Sequence, residues 1–525
     1  MIINRTWNRY KQCLEISYLD KEGNRQLYTK YIHHWKTYEY DDNGRYDCWN
    51  GRKCNKIYKD SKTYSPNEFD MLEYIFEMKN NLEEAKILEQ LYQNNPIKLY
   101  TYDIETEVSD EFPDPTLAKQ KVTSISLVGP DMSCYVMALK EMDAMQVARL
   151  RNRYIDFIKN NDFANQQLKK QIENGGKEPI VKYKAFKTEV ELLEYWFTKI
   201  IPHITFLAGW NSYNFDRRYL VNRVKNLVGE QLLNKWIRQG SPTYSVGNAR
   251  FISLGEGSVK IPIPMHMVEL DYMLLVEKYE YAFRPYESYS LDWCGEHIVG
   301  ANKIKYDGTL QQLYERDYEW YYYYNAIDSL IVQLIHQRTK CVKSPAAVGA
   351  QTLVGLQEAM GQIAMTTANL FRTFYEEGLH VVYDYDGINR NREDYEGAFC
   401  CAVPGLHQWT ACFDFKSLYP TQIRTCNISF ENQVHPPKIG PDSLGRYTTR
   451  DWYEEELDEF RKDPNYFVTL NNNVYRNDKD YAFKRLQVRN TQNRDKFKYL
   501  GQKIAAQMLT EIDRVIKLKE QNNTN

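Results

Sequence analysis

Between Ile97 and about residue 340 the sequence alternates short, dense apolar runs with longer helix-like ones. IKLYTYDIET, VTSISLV (122–128), YVMAL (135–139) and ITFLAGW have the length and composition of strands, whereas VELLEYWFTKII and DRRYLVNRVKNLVG have the spacing of helices. Strands separated by helices predict an α/β domain built around a mixed sheet. ARFISLGEGSVKIPIP (249–264) predicts a β-hairpin turning at Gly255-Glu256-Gly257.

The flanks have a different character. Residues 1 to about 97 mix β-like runs (CLEISYL, LYTKYI) with the turns DKEG and DDNG, then give a charged helical stretch, NNLEEAKILEQLYQNN. Residues 345–377 look helical, and a β-rich region follows, in which Asp414 ends the strand ACFDF. The acidic run EEELDEF (454–460) is most simply a solvated helix face. From Arg476 to Lys519 there are 12 Lys and Arg against 5 Asp and Glu. There Phe497, Leu500, Ile504, Met508, Ile512 and Val515 mark one helix face, with no later sheet or helix in the sequence to cover it.

A chain of 525 residues has room for three to four domains at roughly 150 residues each. Its 68 basic and 70 acidic side chains exclude a uniformly basic nucleic-acid coat but leave room for a local basic groove. No apolar run is long enough for a membrane span, and the charged opening MIINRTWNRYKQCLE does not read as a signal peptide. The ten cysteines are scattered without a C-x-x-C pair, which suits a reduced, cytosolic protein. Cys48 and Cys54, with His33 and His34 upstream, fit no standard zinc spacing.

Four carboxylates stand out by context. Asp103 and Glu105 lie two apart on a strand and so share one face. Asp216 follows Asn211 in GWNSYNFD, where a strand passes into a helix, and Asp328 follows Tyr324 by one helical turn in YYYYNAID. Hydrolysis of a phosphodiester calls for such a set, because two divalent ions about 3.5–4 Å apart activate water and stabilise the leaving oxygen. Hard ions such as Mg²⁺ choose oxygen ligands. Each piece has an ordinary alternative: Asp216 as a helix N-cap, and Tyr321–Tyr324 as a packed aromatic stripe in a chain with 43 tyrosines. A fifth feature is sharper, since ACFDFKSLYPTQI (411–423) runs an aspartate at a strand end into Ser417-Leu418-Tyr419-Pro420.

The ordered set D-I-E, N-x-x-x-F-D, Y-x-x-x-D and D-x-x-S-L-Y-P resembles family B DNA polymerases, most of all the T-even-type phage replicative enzymes. Tyr395-Glu396-Gly397-Ala398 resembles the Y-x-G-G/A segment that links their exonuclease and polymerase modules. The resemblance implies an α/β and α+β multidomain fold. In it, residues 1–100 with a return segment 341–378 form a β-rich N-terminal domain, and 101–340 form a ribonuclease-H-like 3′–5′ exonuclease domain carrying the 249–264 hairpin. Residues 379–470 would be a partial palm and 471–525 the first part of the fingers.

By the same resemblance Asp103, Glu105, Asp216 and Asp328 would bind two Mg²⁺ ions, Tyr324 would position the attacking water, and Asn211 would contact the DNA end. The hairpin would separate primer from template. Asp414 and the Phe415 carbonyl would be ligands of a further two ions at the polymerase site, with dNTP as substrate. The backbone at Ser417 and Leu418 would hold the triphosphate, and Tyr419 would exclude a 2′-hydroxyl. Arg494 and Lys498 would grip phosphates, unless they are an ordinary solvated face, and Tyr395 would touch the DNA backbone. No K-x-x-x-N-S-x-Y-G or D-T-D is present, and thumb sequence is absent. Nucleotide addition would therefore need a second polypeptide with the remaining fingers, palm and thumb, through which a sliding clamp could bind. The expectation is one part of a phage-encoded polymerase acting on primer-template and single-stranded DNA in the host cytoplasm. The alternatives are a stand-alone 3′–5′ exonuclease and an inactive DNA-binding remnant.

Overall fold

The computed structural model describes residues 1–49, 52–107, 113–239, 250–252, 261–264, 266–280 and 286–383, then 405–406, 418–428, 432–436, 438–441, 447–449, 451–469 and 472–477. The chain separates into two compact units, residues 1–49 with 53–385 and residues 50–52 with 386–525.

The first unit opens with two small antiparallel sheets. Strands β1 (Ile2–Asn8), β2 (Cys13–Leu19) and β3 (Arg25–Tyr31) pair in sequence order, while β4 (His34–Tyr40), β5 (Tyr46–Asp47) and β6 (Lys53–Asp60) pair in the order β4-β6-β5. Helices Glu68–Glu77 and Leu82–Leu91 follow, capped by the side chains of Asn67 and Asn81. Trp7, Ile16, Trp35, Leu72 and Phe76 share one apolar core with Leu353, Ala368 and Phe371 from the far end of the unit. Cys48 and Cys54 are buried beside Tyr38 in a small apolar cluster, so their environment is that of packed thiols.

Six strands then form a mixed sheet. In chain order they are β7 (Leu99–Thr106), β8 (Val122–Val128), β9 (Cys134–Ala138), β10 (Val181–Ala185), β11 (Phe206–Gly209) and, after a hairpin of β12 (Arg250–Ile252) with β13 (Ile261–Ile263), β14 (Val268–Asp271). Their spatial order is β10-β9-β8-β7-β11-β14. β7, β11 and β14 run parallel to one another, β8 is antiparallel to both β7 and β9, and β9 and β10 are parallel. Side chains alternate across it. Tyr102, Ile104, Ile125 and Leu207 pack with Trp196, Phe197 and Leu220 on one face. Leu99, Val128, Val136 and Phe206 pack on the other with Tyr321, Tyr322, Ile327 and Leu330 from the helix Tyr318–Thr339.

Helices Ala144–Asn160 and Asp162–Glu173 have no counterpart in the sequence reading. They bury only a narrow stripe (Leu150, Tyr154 and Ile158 in the first, Ala164 and Leu168 in the second), which leaves little periodic signal among their polar residues. The helical stretch expected over 345–377 is three helices, Lys343–Thr352, Leu356–Ala359 and Gln362–Glu376. Leu353 breaks it by taking a left-handed conformation (φ 57°), which is held because Leu353 is buried and its carbonyl accepts from Arg5 Nη1 at 3.0 Å.

In the second unit the described residues include a helix at Leu418–Thr425, β15 (Gln433–Val434), a hairpin of β16 (Lys438–Pro441) with β17 (Tyr447–Thr449), a helix at Glu454–Lys462, β18 (Tyr466–Val468) and β19 (Val474–Arg476). The Glu454–Lys462 helix buries only Leu457, as a solvated acidic face requires. The basic segment 478–525 lies outside the described residues. No helix among those described is long and apolar enough to cross a membrane.

Candidate active site

The site grows from the side of β7 that carries Thr101, Asp103 and Glu105. That side meets the helix Tyr318–Thr339 across a seam of small polar residues. Thr101 Oγ1 donates to the Ser329 carbonyl at 2.8 Å, Ser126 Oγ to the Asn325 carbonyl at 2.8 Å, and Ser124 Oγ to Asn325 Oδ1 at 3.1 Å. Small side chains let helix and sheet approach closely, and their hydroxyls pair the polar groups that the approach buries. Asn325 Nδ2 in turn donates to Asp103 Oδ2 at 2.7 Å.

Helical spacing does the rest. Of the four consecutive tyrosines, Tyr321, Tyr322 and Tyr323 go into the apolar core, while the Tyr324 hydroxyl and Asp328 emerge together on the side of the carboxylates. One carboxylate oxygen from each of Asp103, Glu105 and Asp328 lies within 4.8 Å of the other two.

Asp216 stands just outside that trio, in the first turn of the helix Asp216–Val228. It does not act as the helix cap. Phe215 occupies that position, and Asp216 Oδ1 accepts the Ile104 N–H of β7 at 3.2 Å. Its charge is the strongest electrostatic influence on Asp103. Asn211, at the end of β11, takes a left-handed backbone conformation (φ 57°). Asp271, at the end of the neighbouring β14, holds this turn by accepting the N–H groups of Asn211 at 3.0 Å and Tyr213 at 3.1 Å.

Sequence reasoning missed Lys303, a lone lysine with no motif to mark it. Its Nζ lies 2.5 Å from Asp328 Oδ2 and 3.1 Å from the Tyr324 hydroxyl. Asp271 and Asn325 were missed as well, although Asn325 sits inside the YYYYNAID run.

Crowding of negative charge sets the electrostatics. Burial and then the charges of Asp216, Glu105 and Asp328 hold Asp103 well above the usual carboxylate range. Glu105 is pushed up to about 8 by burial and by Asp328. Asp216 is pushed up to about 7 by burial, which outweighs the N–H groups it accepts. Burial raises Asp328 too, against the pull of Lys303. Burial alone would lower Lys303, but the charges of Asp328, Tyr324 and Asp103 keep it raised and therefore an ammonium.

These residues suit a hard divalent cation. All three converging donors are oxygens, and Asp328 Oδ1 is buried with no hydrogen-bond partner among the described residues. No other group of His, Cys, Asp or Glu among those residues has comparable spacing.

Of the other residues singled out in the sequence, Leu418 and Tyr419 begin the Leu418–Thr425 helix and are exposed. Tyr395, Asp414, Phe415, Ser417, Arg494 and Lys498 lie outside the described residues, as does the turn of the 249–264 hairpin.

Residues 67–293 match the family model of the DNA polymerase family B exonuclease domain. That range holds Asp103, Glu105, Asn211 and Asp216 and stops short of Tyr324 and Asp328. The chain is 29% identical over 362 residues to the DNA-directed DNA polymerase of Escherichia phage RB69, a match covering 67% of this chain and 37% of that protein. It is 29% identical over 363 residues to the DNA-directed DNA polymerase of Enterobacteria phage T4, covering 66% and 38%. DNA polymerase 1 of Sulfolobus acidocaldarius is 24% identical over 391 residues, covering 69% and 37%. The matched part thus spans little more than a third of each relative's length.

Proposed function

This chain is a relative of the family B DNA polymerases of T-even-type phages, and from that premise we propose that it removes nucleotides from the 3′ end of DNA, as an editing exonuclease does. The observation that carries the reading is the meeting of Asp103, Glu105 and Asp328 within 4.8 Å. In this reading residues 101–340 form a ribonuclease-H-like exonuclease domain, and Asp103, Glu105, Asp216 and Asp328 hold two divalent ions. Mg²⁺ suits an all-oxygen set, and bound there it supplies Lewis-acid activation of water and charge stabilisation at the leaving oxygen.

The chain's own groups do the remaining work. Burial keeps the Tyr324 phenol protonated, so it orients the water by hydrogen bonding and does not take its proton. The Lys303 ammonium fixes that phenol and one oxygen of Asp328. Asn211, presented by the turn that Asp271 holds, hydrogen-bonds the terminal nucleotide. The 249–264 hairpin keeps primer and template apart.

Nucleotide addition would use Asp414 and the Phe415 carbonyl for metal, Ser417 and Leu418 for triphosphate, Tyr419 against the sugar, Tyr395 on the DNA backbone, and Arg494 with Lys498 on phosphates. It also calls for a second palm carboxylate and the remaining fingers, palm and thumb, from a second polypeptide or from further sequence.

The test is Mg²⁺-dependent digestion of a 5′-labelled single-stranded oligonucleotide. The expected result is a ladder shortening from the 3′ end, abolished by Asp103→Ala with Glu105→Ala in a protein whose circular dichroism is unchanged. Cleavage retained by that double variant would sink the assignment.

A further inference from the structure

The helix that carries Asp216 begins without a side-chain cap, since Phe215 stands at its cap position. Its first turn is held by other bonds. The Arg217 N–H donates to the Ser212 carbonyl at 2.9 Å, the Tyr213 hydroxyl donates to the Glu269 carbonyl, and Arg217 Nε lies 3.2 Å from Glu269 Oε2. The other oxygen of that carboxylate accepts the Tyr102 hydroxyl at 2.8 Å. From its place on β14, Glu269 therefore reaches both β7 and the start of the helix.

The chain positions of its partners carry the argument. Tyr102 immediately precedes Asp103, and Arg217 immediately follows Asp216. One carboxylate thus joins the neighbours of two candidate metal ligands, on the side of β7 that faces away from Asp103. β11 pairs with β7 as far as Thr101, and Asp216 takes the edge beyond it by accepting the Ile104 N–H. With no cap to fix the start of the helix, the pairing of Arg217 with Glu269 sets how far Asp216 reaches toward Asp103.

Burial says what kind of role this is. The Glu269 side chain is 0% exposed and that of Arg217 2%. A buried ion pair stabilises a fold no better than apolar residues of the same volume, whereas its directed contacts select one arrangement. Arrangement matters here, because a misplacement of about 1 Å costs a reaction up to roughly 10²-fold.

We propose that Glu269 is a positioning residue, which acts through Arg217 and Tyr102 to hold Asp216 and Asp103 at the separation that two divalent ions need. The proposal rests on the exonuclease reading of the carboxylates and extends it to the opposite face of the sheet.

The test uses the whole chain with this cluster made apolar, by Tyr102→Phe, Arg217→Met and Glu269→Leu together. Its melting temperature in EDTA is expected to stay at or above that of wild type, because neither buried charge is left without the other. Mn²⁺ affinity, read by electron paramagnetic resonance, is expected to fall severalfold. The single-turnover rate on a single-stranded oligonucleotide at saturating Mg²⁺ is expected to fall roughly tenfold or more, with the half-saturating strand concentration kept. A side chain that only stabilised the fold would move the melting temperature and leave metal affinity and rate alone. Tyr102→Phe by itself keeps the ring against Trp196, removes only the hydroxyl, and is expected to lower both severalfold. Wild-type Mn²⁺ affinity and rate in the folded triple variant, or in Tyr102→Phe should the triple variant not fold, overturn the proposal and leave the exonuclease reading standing. Unsubstituted protein that binds Mn²⁺ through Asp103 and Glu105 yet cleaves no DNA sinks that reading instead, and the Mn²⁺ titration of the variants still decides the role of Glu269.

Discussion

Glu105 and Asp216 keep their protons up to about 8 and about 7 because burial and neighbouring negative charge both disfavour the anion. A cation that binds them must displace those protons. Affinity for Mn²⁺ or Mg²⁺ is therefore expected to rise from about pH 6 to about pH 8, with proton release on binding. Calorimetry in two buffers of different ionisation enthalpy reads this directly, and a buffer-independent heat would contradict it. Tyr324→Phe removes only the hydroxyl that Lys303 fixes. Cleavage is expected to fall roughly 10²-fold or more with metal affinity kept, measured as single-turnover rate and Mn²⁺ titration. Strand and helix spacing put Asp103 with Glu105, and Tyr324 with Asp328, on common faces, whereas the set of four carboxylates, Asp216 included, was legible through the ordered motifs of the resemblance. Lys303 was not, since its place depends on a loop closing over a helix 25 residues further on.

At the scale of elements, the seam between β7, β8 and the helix Tyr318–Thr339 sets the position of Asp328. Ser126→Leu adds volume where the Ser126 and Ser329 hydroxyls meet at 2.6 Å. The expected cost is about 1–3 kcal/mol in urea unfolding, with cleavage reduced though every carboxylate is intact. Unchanged cleavage would mean that the seam does not fix the site. The turn after β11 separates backbone from side chain in the same way. Asn211→Gly tolerates the left-handed conformation and is expected to keep stability while raising KM for a strand end, whereas Asn211→Val is expected to lose about 1–2 kcal/mol of stability as well. The sheet's first strands were evident as apolar runs. β14 and the helices over 144–173 were not, because their burial is decided by partners distant in sequence. In the tyrosine run three rings fit the packed stripe that composition suggests, and the assembled helix sets the hydroxyl of Tyr324, already singled out by its one-turn spacing from Asp328, beside Lys303.

For the whole molecule, the cluster is a stability liability until it is neutralised. Carboxylates that titrate higher in the fold than in the unfolded chain favour folding at low pH, and that contribution is lost as pH rises through their folded values. Other groups oppose this. His266 and His336, lowered by burial to about 4 from 6.5, add stability as pH rises toward 6.5, and the Met1 amine, lowered by burial to about 5 from 8.0, adds it up to about 8. The cluster is isolated by comparing wild type with Asp103→Ala, Glu105→Ala in EDTA. The double variant is expected to gain in melting temperature on wild type between about pH 6 and 8, and Mn²⁺ to stabilise wild type alone. A pH-independent difference between the two would refute the linkage.

The grip of Asp271 on the turn at Asn211 has a consequence for how the sequence can vary. The two residues sit at the ends of adjacent parallel strands, with β12 and β13 in the stretch between them. Strand pairing fixes where the chain leaves and re-enters, so the length of the excursion is decoupled from the geometry at its base. The hairpin of β12 and β13, beyond the helix that carries Asp216, is the part the fold treats as a cassette, one that tolerates lengthening, trimming or exchange so long as that helix and the two clasped ends are kept.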